Sequence, residues 1–109
     1  MTAEQRRFQR VPQSWEVGCR HPDGPLVWYE ALTLNVSAGG LELQSAVLFE
    51  VGAVLELRIR LPDHPEPFYL RGRVVWNKPD GLNDHGVEFV DVTLGQQVRI
   101  DELVKFLAQ

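Results

Sequence analysis

Residues 55–61 read Leu-Glu-Leu-Arg-Ile-Arg-Leu. In a strand, successive side chains point to opposite faces, so this run gathers Leu55, Leu57, Ile59 and Leu61 on one side. Glu56, Arg58 and Arg60 fall on the other. A helix would scatter both sets around its circumference. The same period of two recurs along most of the chain. Trp15, Val17 and Cys19 alternate with Glu16, Gly18 and Arg20. A longer strand is predicted over about Leu26–Val36, with Leu32, Leu34 and Val36 on one face and Thr33, Asn35 and Ser37 on the other. Leu41 and Leu43 alternate with Glu42 and Gln44. Further strands are predicted from Phe68 to Asn77 and from His85 to Val92, the last with Val87 and Phe89 on one face.

Turn residues separate these runs. His21-Pro22-Asp23-Gly24-Pro25, Ser37-Ala38-Gly39-Gly40, Gly52, Pro62 with Pro65 and Pro67, and Pro79-Asp80-Gly81 each interrupt the alternation. Gly72 lies inside a strand and predicts a bulge or tight bend there. The period changes only near the C-terminus, where Ile100, Leu103, Val104 and Leu107 take helical spacing. Thr93 and Gln96 fit a capping box at the start of that segment. No helical crossover separates the strands, so they pair antiparallel. The fold class is all-β: a six-stranded antiparallel barrel followed by a C-terminal α-helix at about 94–107. Residues 1–13 show no alternation and read as a basic N-terminal arm, with the barrel and helix occupying 14–109.

Charge is unevenly placed. The 109 residues carry a net −4 from 11 basic and 15 acidic side chains. Arg6, Arg7 and Arg10 face only Glu4 within the first ten residues, a local +2 that leaves −6 on the rest. An acidic body of this kind offers no bulk attraction to a nucleic acid polymer. The single cysteine, Cys19, excludes an intrachain disulfide and suits a reducing compartment. Its alternation with Trp15 and Val17 makes it a core thiol. No apolar run is long enough to span a membrane, and Met1–Arg10 lacks the apolar stretch of a signal peptide. A cytoplasmic protein without membrane insertion is the expectation.

Enzymatic signatures fail. His21 and His64 fall in turns and His85 begins a strand, all read as solvent-facing, and no pair has metal-binding spacing. No metal and no cofactor are expected. Asp63-His64 and Asp84-His85 are adjacent pairs without an accompanying nucleophile. No phosphate-cradling glycine loop or nucleophile elbow occurs.

One constellation does carry chemistry. Arg6 and Arg10, four apart, present two planar forks suited to phosphate oxygens or to the O6/N7 edge of guanine. Asn35 and Ser37, two apart on a strand, project from one face. The amide can read a base edge, and the hydroxyl can meet a phosphate or an amino group. Gly39 and Gly40 permit close backbone approach.

These residues resemble the signature of the PilZ domain family, receptors for cyclic di-GMP: RxxxR, a spacer of some 20–30 residues, then [D/N]xSxxG. Here Arg6 and Arg10 match the first part, and Asn35, Ser37 and Gly40 match the second. The 24 residues 11–34 lie between them. Leu70-Arg71-Gly72-Arg73-Val74-Val75-Trp76 and His85-Gly86-Val87-Glu88-Phe89 are similar to two further family strands.

The resemblance implies a six-stranded barrel with a C-terminal helix and no catalytic activity. It implies that Arg6 and Arg10 grip guanine edges and phosphates, that Asn35 and Ser37 hold a guanine, and that Gly40 keeps the turn tight beneath it. Gln5, ahead of the first arginine, sits where the family sets one or two stacked ligands. Arg7 adds charge, and Gly39 lies beside the ligand. Trp76 has two readings: guanine stacking, as the resemblance implies, or core, as its alternation with Phe68, Leu70 and Val74 implies. The function implied is a cyclic di-GMP receptor that orders its arm on binding and changes a surface offered to a downstream protein. A nucleotide-independent interaction adaptor of the same fold is the alternative.

Overall fold

A computed structural model describes residues 11–61 and 65–107. Among the described residues seven strands form one sheet: β1 Val11–Pro12, β2 Glu16–Arg20, β3 Tyr29–Ser37, β4 Gly40–Ser45, β5 Val54–Ile59, β6 Phe68–Lys78 and β7 Asn83–Val90. The order is β1-β3-β2-β5-β6-β7-β4, every pair is antiparallel, and β4 also pairs with β3. That last pairing closes β2 through β7 into a six-stranded barrel. Helix α1, Leu94–Leu107, follows.

The inner face is the alternation read from sequence. Val17, Cys19, Leu43, Leu55, Leu57, Val74 and Val87 are fully buried. Burial of each such side chain contributes roughly 1.5–3 kcal/mol. Helix α1 covers one mouth of the barrel through Ile100 and Val104. Its start is held reciprocally: Gln96 N–H donates to Thr93 Oγ1 and Thr93 N–H donates to Gln96 Oε1, both at 3.1 Å. The capping box expected from sequence is therefore present.

Strand β1 was not visible in the alternation. It pairs with β3 on the edge that β2 also uses, Val11 opposite Val36 and Pro12 opposite Asn35. Strands β1 and β2 are thus two halves of one interrupted strand. The break at 13–15 is stitched by Thr33, which is fully buried. Its Oγ1 donates to the Gln13 carbonyl and accepts from Trp15 N–H, and its own N–H donates to the Trp15 carbonyl.

Four expectations need correction. Leu32, Leu34 and Val36 do not share a face: Ala31, Thr33 and Val36 point inward, and Leu32 is exposed. A bulge between Thr33 and Asn35 reverses the parity at Leu34. Strand β3 begins at Tyr29, and Leu26 lies in an exposed loop. The bulge in β6 falls between Val74 and Trp76, not at Gly72. Gly72 is required because a Cβ there would stand 2.4 Å from Val87 Cγ1 inside the barrel. Finally, His85 is not at the surface; it is 0% exposed, in β7. His64 and Asp63 lie outside the described residues.

His85 Nε2 accepts the Phe49 N–H at 2.9 Å, and its ring packs 5.3 Å from that of Phe49. Burial lowers its pKa below the ordinary 6.5, opposed by the Leu43 and Asn83 carbonyls and by Asp84. The unfolded chain therefore takes up this proton first as pH falls. Stability from His85 is complete above about pH 6.5 and is lost as pH drops through the depressed folded value. Urea midpoints should fall between about pH 7.5 and pH 5, and His85→Gln should flatten that fall. An unchanged pH dependence in the variant would contradict this assignment.

Cys19 is likewise 0% exposed. Burial, with the Glu30 carboxylate adding to it, raises its thiol pKa to about 12. A thiol held protonated is a poor nucleophile. Alkylation of native protein should be slower by orders of magnitude than in urea, and fast labelling without denaturant would refute this burial.

Candidate functional site

The β3–β4 hairpin turns through Ala38 and Gly39. Ser37 pairs with Gly40 across it. Gly39 N–H donates to Ser37 Oγ, and Ser37 Oγ–H donates to the Gly40 carbonyl, each at 3.2 Å. A hydroxyl has one hydrogen and two lone pairs. With the hydrogen and one lone pair engaged, Ser37 has only an acceptor left for a ligand. Of the two partners expected from sequence, this geometry suits an amino group and not a phosphate. Ser37 is also buried, so its first task is to fix the turn.

Gly40 meets two strands at once, Ser37 of β3 and Glu88 of β7. A Cβ there would lie 2.1 Å from the Val87 carbonyl oxygen and 3.0 Å from Glu88 Cα. Gly39 contributes its carbonyl to Phe89 N–H at 2.9 Å. Gly40 thus lets the hairpin lie flat against β7.

Asn35 is half-buried, two positions before Ser37 on the same side of β3. Register aligns it in a row across four further strands. Pro12 is opposite Asn35, Asn35 opposite Glu42, Glu42 opposite Gly86, and Gly86 opposite Trp76. Adjacent strands lie about 4.8 Å apart, so Asn35 and Trp76 flank a stretch of roughly 14 Å. An open groove of about 430 Å³ lies at the Asn35 end, lined by Val11, Pro12, Asn35 and Glu42.

Trp76 is not a core residue. The bulge at Val75 turns it out of the alternation with Leu70 and Val74, and Trp76 is half-buried rather than in the core. The ring edge lies against Gly86, where a Cβ would fall 1.9 Å from Trp76 Nε1. Gly86 is therefore a slot that seats the indole on the barrel's outer face. The aromatic surface and the Asn35 amide share that face.

Sequence reasoning found Asn35, Ser37, Gly39 and Gly40, and the hairpin brings them together. It missed Glu42, Gly86 and the pairing of Val11 and Pro12 with β3. The glycine preceding the inward Val87 was the available signal for the Trp76 seat. Gln5, Arg6, Arg7 and Arg10 lie outside the described residues. Among the described residues no group of three or more His, Cys, Asp or Glu is arranged to hold a metal ion. No described helix is long and apolar enough to cross a membrane.

Comparison with known proteins places this geometry. Among curated proteins, none matches the sequence. Solved structures match over nearly the whole chain. MotI/DgrA of Bacillus subtilis, an inhibitor of motility, aligns with a TM-score of 0.76 at 20% identity, covering 92% of this chain and 49% of that one. The PilZ domain of Escherichia coli YcgR with c-di-GMP aligns at 0.74 and 11% identity, covering 95% and 92%. The K. pneumonia MrkH–c-di-GMP complex aligns at 0.72 and 17% identity, covering 94% and 52%. The chain spans about half the length of MotI and of MrkH. The family model of the PilZ domain matches residues 4–107, and the chain belongs to the PilZ domain family.

Proposed function

We propose that this chain is a cyclic di-GMP receptor whose binding site is shared between the N-terminal arm and the outer face of β3 and β4. One observation carries the reading: β1 ties the base of the arm beside the strand signature, Val11 opposite Val36 and Pro12 opposite Asn35. Arg10 directly precedes Val11 in the chain, the residue paired with Val36 one position from that row. Arg6 is four residues further back in the chain. In this reading the two halves of the signature, distant in sequence, come together beside β1.

The division of chemistry follows. Register partners of Asn35 and Gly40 include the carboxylates Glu42 and Glu88 but no basic residue. The positive charge for a dianionic ligand is supplied by Arg6 and Arg10, with Arg7 adding to the field. Asn35 holds a guanine edge through its amide, and Ser37 accepts from a guanine amino group. Gly40 keeps the turn tight beneath the ligand, and Gly39 lies beside it. Trp76 offers an aromatic surface for a base at the far end of the row. Gln5 stands where ligand stoichiometry is set.

Cyclic di-GMP binding is proposed to order the arm and so change the surface offered to a downstream protein. YcgR and MrkH, relatives in fold, are seen with c-di-GMP, and MotI is an inhibitor of motility. Trypsin tests the arm directly, because Arg6, Arg7 and Arg10 are its cleavage sites. Saturating ligand should slow cleavage after these residues at least about tenfold, as expected for a segment ordered by more than 1.4 kcal/mol. Unchanged cleavage alongside saturable binding would overturn the arm's role. Partner capture indifferent to ligand would favour the nucleotide-independent adaptor.

A further inference from the structure

Six arginines fall among the described residues, and five of them lie on one outer wall of the barrel. Arg20 of β2, Arg58 of β5, and Arg71 and Arg73 of β6 point outward, and Arg60 follows directly on β5. The three strands are neighbours in the sheet. Trp28 packs onto this wall. Its ring centre lies 4.5 Å from Arg20 Cζ and 4.7 Å from Arg58 Cζ. A Cβ at Gly18 would stand 3.1 Å from Trp28 Cε3, so the indole rests on bare backbone. The ring of Tyr69 lies beside it, 6.4 Å between centres. Carboxylates brace both guanidiniums, Glu56 at 3.1 Å from Arg20 and Glu30 at 3.3 Å from Arg58. The cluster is thus held in place, yet it is not covered. Tyr69 is 57% exposed, and Leu26 and Val27, which lead into Trp28, are 85% and 50% exposed. Trp, Tyr and Arg are the side chains that dominate binding energy at protein interfaces.

Arg60 and Arg71 are exposed and form no ion pair with a described residue. Register fixes their spacing. Arg71 is opposite Glu56, and Tyr69 is opposite Arg58. Arg60 is four residues beyond Glu56, so the two arginine positions lie about 13 Å apart along the strands, with Tyr69 midway. We propose that this wall docks an extended acidic segment of a partner protein, with two carboxylates four residues apart and a large apolar side chain midway between them. An extended chain rises about 3.3 Å per residue and shows residues i, i+2 and i+4 on one side. Its carboxylates then meet Arg60 and Arg71, and its apolar side chain meets Tyr69. The wall's cations are all arginines, whose weakly hydrated fork suits carboxylates at an interface. Nucleic acid fits less well, because Glu30 and Glu56 stand among the arginines and a phosphate at every nucleotide would meet them. The wall shares no residue with the groove at Asn35.

The test uses the capped peptide Ser-Glu-Thr-Phe-Thr-Glu-Ser, titrated into the full ¹⁵N-labelled chain without nucleotide. Its failure would therefore leave the receptor reading to the cyclic di-GMP titration alone. The Trp28 indole resonance, identified by its loss in Trp28→Phe, should shift saturably. Alanine in place of the peptide's phenylalanine, or lysine in place of both glutamates, should weaken binding by at least about tenfold. Arg71→Glu should weaken it as much while the protein melts as before, because that side chain is exposed. Tyr69→Ala is the second variant should Arg71→Glu not fold. Absence of a saturable shift, equal binding of either altered peptide, or undiminished binding to a folded wall variant overturns the proposal. An eight-nucleotide oligothymidylate that shifts Trp28 at lower concentration than the peptide overturns it as well.

Discussion

Gly40→Ala should destabilise the protein by about 3 kcal/mol and lower its melting temperature by at least about 10 °C. The added Cβ meets the Val87 carbonyl oxygen at 2.1 Å, the Glu88 Cα at 3.0 Å and the Val87 carbonyl carbon at 3.1 Å. All three are backbone atoms, so no side-chain rotation relieves the contact. The hairpin must lift from β7, and the pairing that closes the barrel lifts with it. The Gly39 carbonyl loses Phe89 N–H, and Ser37 Oγ loses its fixed acceptor. Each such bond contributes about 1 kcal/mol on top of the overpacking. Against a total stability of roughly 5–15 kcal/mol, the loss is large. A thermal melt checks it, and a variant as stable as the parent would contradict the closure described here.

Arg10→Ala should leave the melting temperature unchanged and weaken cyclic di-GMP binding by roughly fivefold to a hundredfold. That range is the 1–3 kcal/mol of a charge-assisted, two-pronged contact converted at 1.4 kcal/mol per tenfold. Arg10→Lys keeps the charge but loses the planar fork, so it should recover only part of the loss. Full recovery by lysine would mean that Arg10 supplies charge alone. Equal affinity in Arg10→Ala would remove the arm from the site. Melting curves of both variants separate a binding effect from a folding one.

Much of this was legible because burial imposes a simple period. The runs at 15–19, 41–44 and 55–59 fixed three strands and their inner faces, and the 3.6-residue spacing of Ile100, Leu103 and Val104 fixed the helix. Parity failed at Leu34 and Val75 for one reason. A small sheet closes into a barrel only by bending, and bulges that bend a strand add a residue that period-two reasoning does not see. Each parity error lay beyond such a bulge: the face given to Leu34 with Val36, and the alternation of Trp76 with Leu70 and Val74. His85 misled differently. Its burial depends on the Phe49 N–H, delivered by a loop 36 residues away, and no local pattern encodes that.

The candidate site divides along the same line. Asn35, Ser37 and Gly40 were readable because a hairpin keeps them together. Glu42, Gly86 and the seat of Trp76 were not, because cross-strand register places them. The value of β1 was hidden too. Two residues are too few to show alternation, yet they decide where the basic arm begins.

The central claim is that arm and hairpin form one site for cyclic di-GMP, and calorimetric titration of the full chain tests it most directly. Saturable binding with a dissociation constant of about 1 μM or tighter, near −8 kcal/mol, is the predicted result. No heat and no saturation at high ligand concentration, from protein that melts cooperatively, would contradict it.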